Sequence, residues 1–217
     1  MKNQAITFEV SPEIGSVSGE FDIPDKMKAI LTLAHGAGAG FNHPFMKKLA
    51  LALCEKNIGT LRFNFPFIEK KKKIVDRPPI AELTIQRAIE KVKDVYPDVP
   101  LFSSGKSFGG RMTSHLLSKN FDLGVRGIIF FGFPLHAPGN PGVERATHLM
   151  SIKIPMLFLQ GTNDALATMP LMQQVTSALP NTTLVLFEKA DHSFKANKRE
   201  LIPELAEQAS AWSDFFI

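Results

Sequence analysis

The sequence predicts an α/β fold, a mainly parallel sheet with helices on both faces, and three features of its 217 residues carry that prediction. Short apolar runs alternate with longer stretches whose apolar residues recur at helical spacing, an order that demands crossover connections. The runs are near-continuous rather than alternating: Lys28-Ala-Ile-Leu-Thr-Leu-Ala34 reads as a strand covered on both faces. No repeat, low-complexity linker or shift in composition divides the chain. Residues 1–217 are therefore expected to form a single domain, long enough for one sizeable core and short for two.

Taken in order, Ile6–Val10 and Gly15–Ile23 are strand-like and predict an antiparallel edge ahead of the main sheet. The strand Lys28–Ala34 runs into His35-Gly-Ala-Gly-Ala-Gly40, followed by a helix over Pro44–Lys56 and a strand over Gly59–Phe65 that Pro66 stops. Phe67–Arg77 reads as a loop. Pro78-Pro79 then opens a helix, proline being tolerated in the first turn, with Ile80, Leu83, Ile85, Ala88, Ile89 and Val92 on its apolar stripe. A buried strand from Val99 leads through Gly105–Gly110 into a helix that ends near Lys119. Strands at Arg126–Phe133, Pro155–Gln160 and Thr183–Phe187 follow, with helices near Pro170–Leu179 and over Glu200–Phe216.

Composition narrows the function classes. With 44% hydrophobic and 21% charged residues the chain is ordinary for a globular protein. Its net charge of +4 is partly local to Lys70–Lys73, which reads as a solvated loop; without interleaved aromatics or a nucleic-acid motif, no nucleic-acid partner is expected. No apolar run approaches the ~20 residues of a membrane span, and the first ten residues lack the apolar region of a signal peptide. The single cysteine, Cys54, sits among Leu49, Leu51 and Leu53 and suits packing in a reducing cytoplasm.

The chemistry centres on Gly105-Lys106-Ser107-Phe108-Gly109-Gly110. A glycine-flanked serine between a buried strand and a helix is the setting of a nucleophile elbow. The turn brings backbone segments too close for β-carbons at Gly105 and Gly109, and it demands a strained serine. The helix behind it aims unpaired N–H groups at any oxyanion formed beside Ser107. The same letters superficially match the end of a P-loop, but the required glycine five residues upstream is Pro100. The glycine run 35–40 lacks the dinucleotide spacing, and Asn64 stands where an acid should end the next strand. Scattered histidines offer no metal-binding spacing, so neither cofactor nor metal is expected.

Ligands in open α/β sheets collect beyond the carboxyl ends of the strands. Ser107, Asp164 and His192 each follow a strand, in the serine–acid–histidine chain order of α/β-hydrolases. Together, His35–Gly40, His43-Pro-Phe-Met46, Arg62-Phe-Asn-Phe-Pro66, Gly105–Arg111, Gly132-Phe-Pro-Leu-His136 and Ala190-Asp-His-Ser-Phe194 resemble the compact α/β-hydrolases distantly related to dienelactone hydrolase, from about Ile30 onward. Dienelactone hydrolase itself uses a cysteine nucleophile where this chain has Ser107, so its substrate is not carried over.

The resemblance implies a serine hydrolase acting on a small ester or thioester. His192 would be the base, Asp164 its orienting acid, and the N–H groups of Phe108 and Ala37 the oxyanion hole, with Gly36 or Gly38 as alternatives to Ala37. Gly36, Gly38, Phe65, Lys106 and His136 are candidates for the substrate site, His136 equally for a loop brace and Lys106, exposed beside the nucleophile, for meeting an anionic substrate or else for a solvated side chain. Asp191 is expected to bond within its loop, His35 to brace the glycine loop, Arg111 to form an ion pair and His115 to pack or lie on the surface. The interval Pro134–Ile154 is too short for a folded lid, which predicts an open, shallow pocket walled by Phe65, Phe67, Leu135 and Met169. The competing reading is a hydrolase-fold binding or scaffold protein with an idle triad.

Overall fold

A computed structural model describes residues 1–120, 122–197 and 199–217. Eight strands form one sheet: β1 (Lys2–Ser11), β2 (Gly15–Ile23), β3 (Ala29–Ala34), β4 (Ile58–Phe63), β5 (Leu101–Lys106), β6 (Ile128–Phe131), β7 (Met156–Gly161) and β8 (Thr182–Phe187), in the spatial order β1-β2-β4-β3-β5-β6-β7-β8. β2 pairs antiparallel with β1 and β4, and every pair from β4 to β8 is parallel. The opening strands thus form the antiparallel edge that the sequence predicts.

Period-two alternation sorts the core into two layers. Ile30, Ile128, Phe130, Met156 and Phe158 point to the face covered by α3 (Pro78–Val95) and α4 (Phe108–Leu117). Leu31, Leu33, Ile129, Phe131, Leu157 and Leu159 point to the face covered by α1 (Pro44–Glu55) and α6 (Ile202–Ser213). Because both faces are covered, all six residues of β3, β4 and β7 are buried, which is why β3 and β7 read as near-continuous apolar runs, whereas β4 carries Thr60 and Arg62 in its buried length.

Sheet order also locates the site. From β3 the chain steps outward to β4 and then returns to β5 on the other side of β3. The loops after β3 and β5 therefore diverge, leaving a crevice at their carboxyl ends.

Two expectations about elements need correction. Residues 67–77 are not all loop: Pro66–Glu69 forms a short helix, α2, with Pro66 in the first turn, where its missing N–H costs nothing. The last helix starts at Ile202 rather than Glu200, because Glu200 belongs to a hairpin of two-residue strands, β9 (Lys195–Ala196) and β10 (Arg199–Glu200). Strands that short carry no periodic signal. The interval Pro134–Ile154 holds a 3₁₀ helix, Glu144–Ser151.

Arg62, the penultimate residue of β4, is fully buried. Its Nε and Nη2 donate to the two Asp22 oxygens at 2.7 and 3.0 Å, and Nη1 donates to the Phe41 carbonyl at 2.7 Å. Glu20 also accepts from Nη2. One side chain thus fastens β2, β4 and the end of the glycine loop. Arg62→Met leaves Asp22 buried without its counter-charge and is expected to cost about 3–5 kcal/mol in urea unfolding. A loss below about 1 kcal/mol would mean that water reaches the pair, as at a surface ion pair.

Candidate active site

The elbow is built by close backbone approach. A β-carbon on Gly105 would collide with the backbone of Gly109 and Gly110, and one on Gly109 would collide with the Ala34 and His35 carbonyl groups of the neighbouring β3 end. Ser107 stands between them at φ +52 and ψ −114, a region that L residues enter only under constraint. Its side chain is thereby lifted clear of β5.

Loops at the ends of β7 and β8 deliver the other two residues. His192 Nε2 lies 2.8 Å from Ser107 Oγ, and His192 Nδ1 lies 2.7 Å from Asp164 Oδ2. The Asp164 side chain is wholly buried and His192 is partly open. Asp164 also accepts from Gln160 Nε2 at 2.5 Å and from the Leu166 N–H at 2.7 Å. Gln160 in turn accepts the Phe133 N–H at 2.9 Å, so its amide orientation is fixed from both ends. With Nδ1–H donated to Asp164, the neutral imidazole presents Nε2 as the acceptor for the serine proton.

Asp191 bonds within its own loop, accepting from the N–H groups of Ser193 and Lys195 at 2.8 and 2.9 Å, and so shapes the turn that displays His192. His35 is buried; its Nδ1–H donates to the Gly36 carbonyl and its Nε2 accepts the Phe65 N–H. Burial pushes the His35 pKa down to about 4, so the ring is neutral near pH 7 and braces the glycine loop.

Beside Ser107 lies an open cavity of about 740 Å³. Gly36, Ala37, Gly38, Lys106, Ser107 and His192 line it, and its apolar walls are Phe45 and Met46 of α1, Leu166, Phe194 and Ile202. Ala37 and Gly38 are exposed in this cavity, and the Phe108 N–H stands in the open first turn of α4, where a helix supplies no partner. Among the described residues none of the interval Pro134–Ile154 lines the cavity and none caps it.

The expected walls are wrong. Phe65, Phe67 and Leu135 are almost wholly buried and lie outside the lining, as does Met169. Phe65 packs edge-on against His35, with ring centroids 4.9 Å apart, and stacks on Phe67. The bond from its N–H to His35 turns the chain inward after β4, so the two rings become core. His136 is likewise not a lining residue: its Nδ1–H donates to the Ala137 carbonyl and its Nε2 accepts the Thr168 N–H, which makes it a loop brace.

Lys106 does line the cavity but is half-buried rather than solvated. Its Nζ donates to the His192 carbonyl at 2.5 Å and sits 5.4 Å from the Phe194 ring centroid. Burial pushes its pKa down to about 8, against the upward pull of Asp164 and Asp191. Arg111 makes no ion pair among the described residues, contrary to expectation. His115 packs, face to face with His148.

Gln160 and the α1 wall were missed from sequence. A glutamine closing the otherwise apolar run Met156–Leu159 is the sequence signal for the first, and His43-Pro-Phe-Met46 is the signal for the second. Among the described residues no three His, Cys, Asp or Glu side chains are grouped to hold a metal ion, and no helix is long and apolar enough to cross a membrane.

The architecture recurs in known proteins. A dienelactone hydrolase from Anabaena variabilis superposes with a TM-score of 0.81 at 18% identity over 100% of both chains. A serine hydrolase without a lid from Xanthomonas campestris gives 0.77 at 20% identity, over 98% of this chain and 95% of its own. The esterase domain of a Rhodothermus marinus protein gives 0.76 at 15%, over 100% of this chain and 99% of its own. At such identities the likeness is one of fold. The family model described as the alpha/beta hydrolase domain matches residues 27–215, nearly the whole chain, and with the eight-stranded sheet, the strained elbow serine and the open strand ends it places this protein in the alpha/beta hydrolase family.

Proposed function

We propose that this protein is a serine hydrolase that cleaves a carboxylic ester or thioester of a small substrate through an acyl-enzyme on Ser107. The observation that carries the reading is the continuous hydrogen-bonded line from Ser107 Oγ through His192 to Asp164, 2.8 and 2.7 Å long at its two links, opening onto a cavity. Ser107 Oγ attacks the carbonyl carbon while His192 Nε2 takes its proton; the C=O electron pair moves onto oxygen, and the N–H groups of Phe108 and Ala37 receive that oxyanion. As the tetrahedral intermediate collapses, the leaving alcohol or thiol takes the proton from His192. Water, deprotonated by the same imidazole, then attacks the acyl carbon, and its proton returns to Ser107 Oγ as the acid departs.

The uncapped cavity favours small or exposed ester groups over long acyl chains. The similar proteins named as dienelactone hydrolase and esterase domain support an ester-type bond. The same reading gives the chain a small-molecule substrate, no nucleic-acid or membrane partner, and a place in the cytoplasm. There Cys54, whose thiol burial pushes up to about 12, stays inert packing.

A fluorophosphonate probe tests the reading. Wild type is expected to label rapidly and saturably at one site, and Ser107→Ala and His192→Ala not at all. A folded wild type that stays unlabelled sinks the enzyme reading and leaves a binding or scaffold role.

Lys106 gives this experiment a pH signature. Its ammonium holds the turn that carries His192, and that charged hydrogen bond weakens on deprotonation. The labelling rate is expected to fall a few-fold as pH rises through about 8, where Lys106 loses its proton. Lys106→Arg, charged at any accessible pH, should carry the plateau to higher pH; an unchanged alkaline limb would sever Lys106 from the effect.

A further inference from the structure

Two buried side-chain polar atoms lack a hydrogen-bond partner among the described residues, Arg111 Nε and His115 Nε2, and both lie in one place. Arg111 and His115 are one turn apart on α4, so their side chains share a face. Arg145 and His148 are three residues apart in the 3₁₀ helix Glu144–Ser151, and at three residues per turn they share a face as well. The two faces meet: the His115 and His148 rings stack with centroids 3.9 Å apart and planes 13° from parallel, and Ser114 Oγ lies 2.7 Å from His148 Nε2. All four residues are half-buried, with Arg111 Nε and His115 Nε2 on the inward side of the cluster.

This cluster has cations without counter-charge. Neither arginine forms an ion pair among the described residues; Arg145 Nη1 donates to the His136 carbonyl instead. The nearby carboxylate, Glu82, is engaged by Lys119 through both oxygens, at 2.9 and 2.8 Å. Burial and the charge of Arg145 hold the Arg111 guanidinium below its usual range. Burial, His115, Arg111 and Lys119 push His148 down to about 3, and burial with Arg111 and Lys119 lowers His115 despite Glu82. Both rings are therefore neutral near pH 7 and available as hydrogen-bond partners. Two guanidinium groups and an unused ring nitrogen are the complement of a compact oxyanion, which would provide the missing acceptor and cancel the repulsion.

We propose that the face between α4 and the 3₁₀ helix is a binding site for a small phosphate-type oxyanion, held by Arg111 and Arg145 with His115 Nε2–H as a further donor. It is separate from the cavity at Ser107, which none of the four residues lines, and it does not depend on the hydrolase reading. The Arg111 N–H does bond to the Ser107 carbonyl at 3.0 Å, so the two sites share the first turns of one helix.

Titration calorimetry of the full chain tests this with inorganic phosphate and with glycerol phosphate, against sodium chloride at equal ionic strength. Saturable one-to-one binding of either ligand is expected, weakened about tenfold or more in Arg145→Met and Arg111→Met and unchanged in Ser107→Ala. Tighter binding of glycerol phosphate identifies an esterified phosphate as the ligand class, and equal binding identifies the free ion. Should Arg111→Met misfold, Arg145→Lys decides the matter, since it keeps the charge and removes the fork, and must still weaken binding. Phosphate heats no different from chloride, or Arg145→Met and Arg145→Lys binding as wild type, would overturn the proposal.

Discussion

Ser107→Gly is expected to yield an inactive protein that is more stable than wild type. On the proposed mechanism, losing the nucleophile lowers turnover on the order of 10⁶-fold. The stability gain comes from the backbone. Ser107 is held at φ +52 and ψ −114, where a β-carbon is strained by about 1–3 kcal/mol, and glycine occupies that region freely. Against this stands the larger unfolded-state entropy of glycine, about 0.4–1 kcal/mol, so a net gain of about 0.5–2 kcal/mol should appear in urea unfolding. Ser107→Ala is the control, equally inactive but with the β-carbon and its strain retained. If alanine stabilises as much as glycine, strain at the elbow is not the cause.

Asp164→Asn should lower kcat about 10⁴-fold while leaving the fold in place. Asp164 is buried with three donors on its two oxygens, from Gln160, Leu166 and His192. An amide at the same position offers one acceptor oxygen and an N–H₂ group. The Leu166 N–H bonds to one oxygen while Gln160 and His192 share the other, so an amide whose oxygen stays with Leu166 turns its nitrogen toward His192 Nδ1, which must then become an acceptor, and leaves Gln160 Nε2 without its acceptor. The imidazole proton moves to Nε2, the atom that must accept from Ser107, and the imidazolium formed during attack loses its counter-charge. Steady-state kinetics on a short-chain ester reads the loss directly. A decrease smaller than about tenfold would remove Asp164 from the relay and point to another acid.

Much of this arrangement was legible in one dimension because it is enforced by local rules. Strands buried on both faces are largely apolar, so β3, β6, β7 and the start of β5 are legible as short apolar runs, and the residues just after them stand out as a group. The glycines around Ser107 are there because backbones approach too closely for β-carbons, a constraint written in residue identity. Parallel topology then brings the ends of β5, β7 and β8 to one edge, and Ser107, Asp164 and His192 follow as a set.

Side-chain direction at those ends was not legible, because contacts distant in sequence decide it. Phe65 and Phe67 follow β4 at the correct edge, yet the bond from the Phe65 N–H to His35 and the turn into α2 fold both rings into the core. Lys106 adjoins Ser107 on a turn expected to be solvated, but the His192 carbonyl and the Phe194 ring, 86 and 88 positions along the chain, draw it inward. The cavity wall comes from α1 and from a hairpin of two-residue strands, too short to leave a pattern. The sequence by itself determined the layered sheet, the elbow and the order of the three residues on its edge, since each rests on periodicity or on the size of a single residue. The tertiary structure decided which neighbours face the cavity and which histidines brace loops, because those outcomes depend on hydrogen bonds that exist only once the β3, β4 and β8 ends have been brought together.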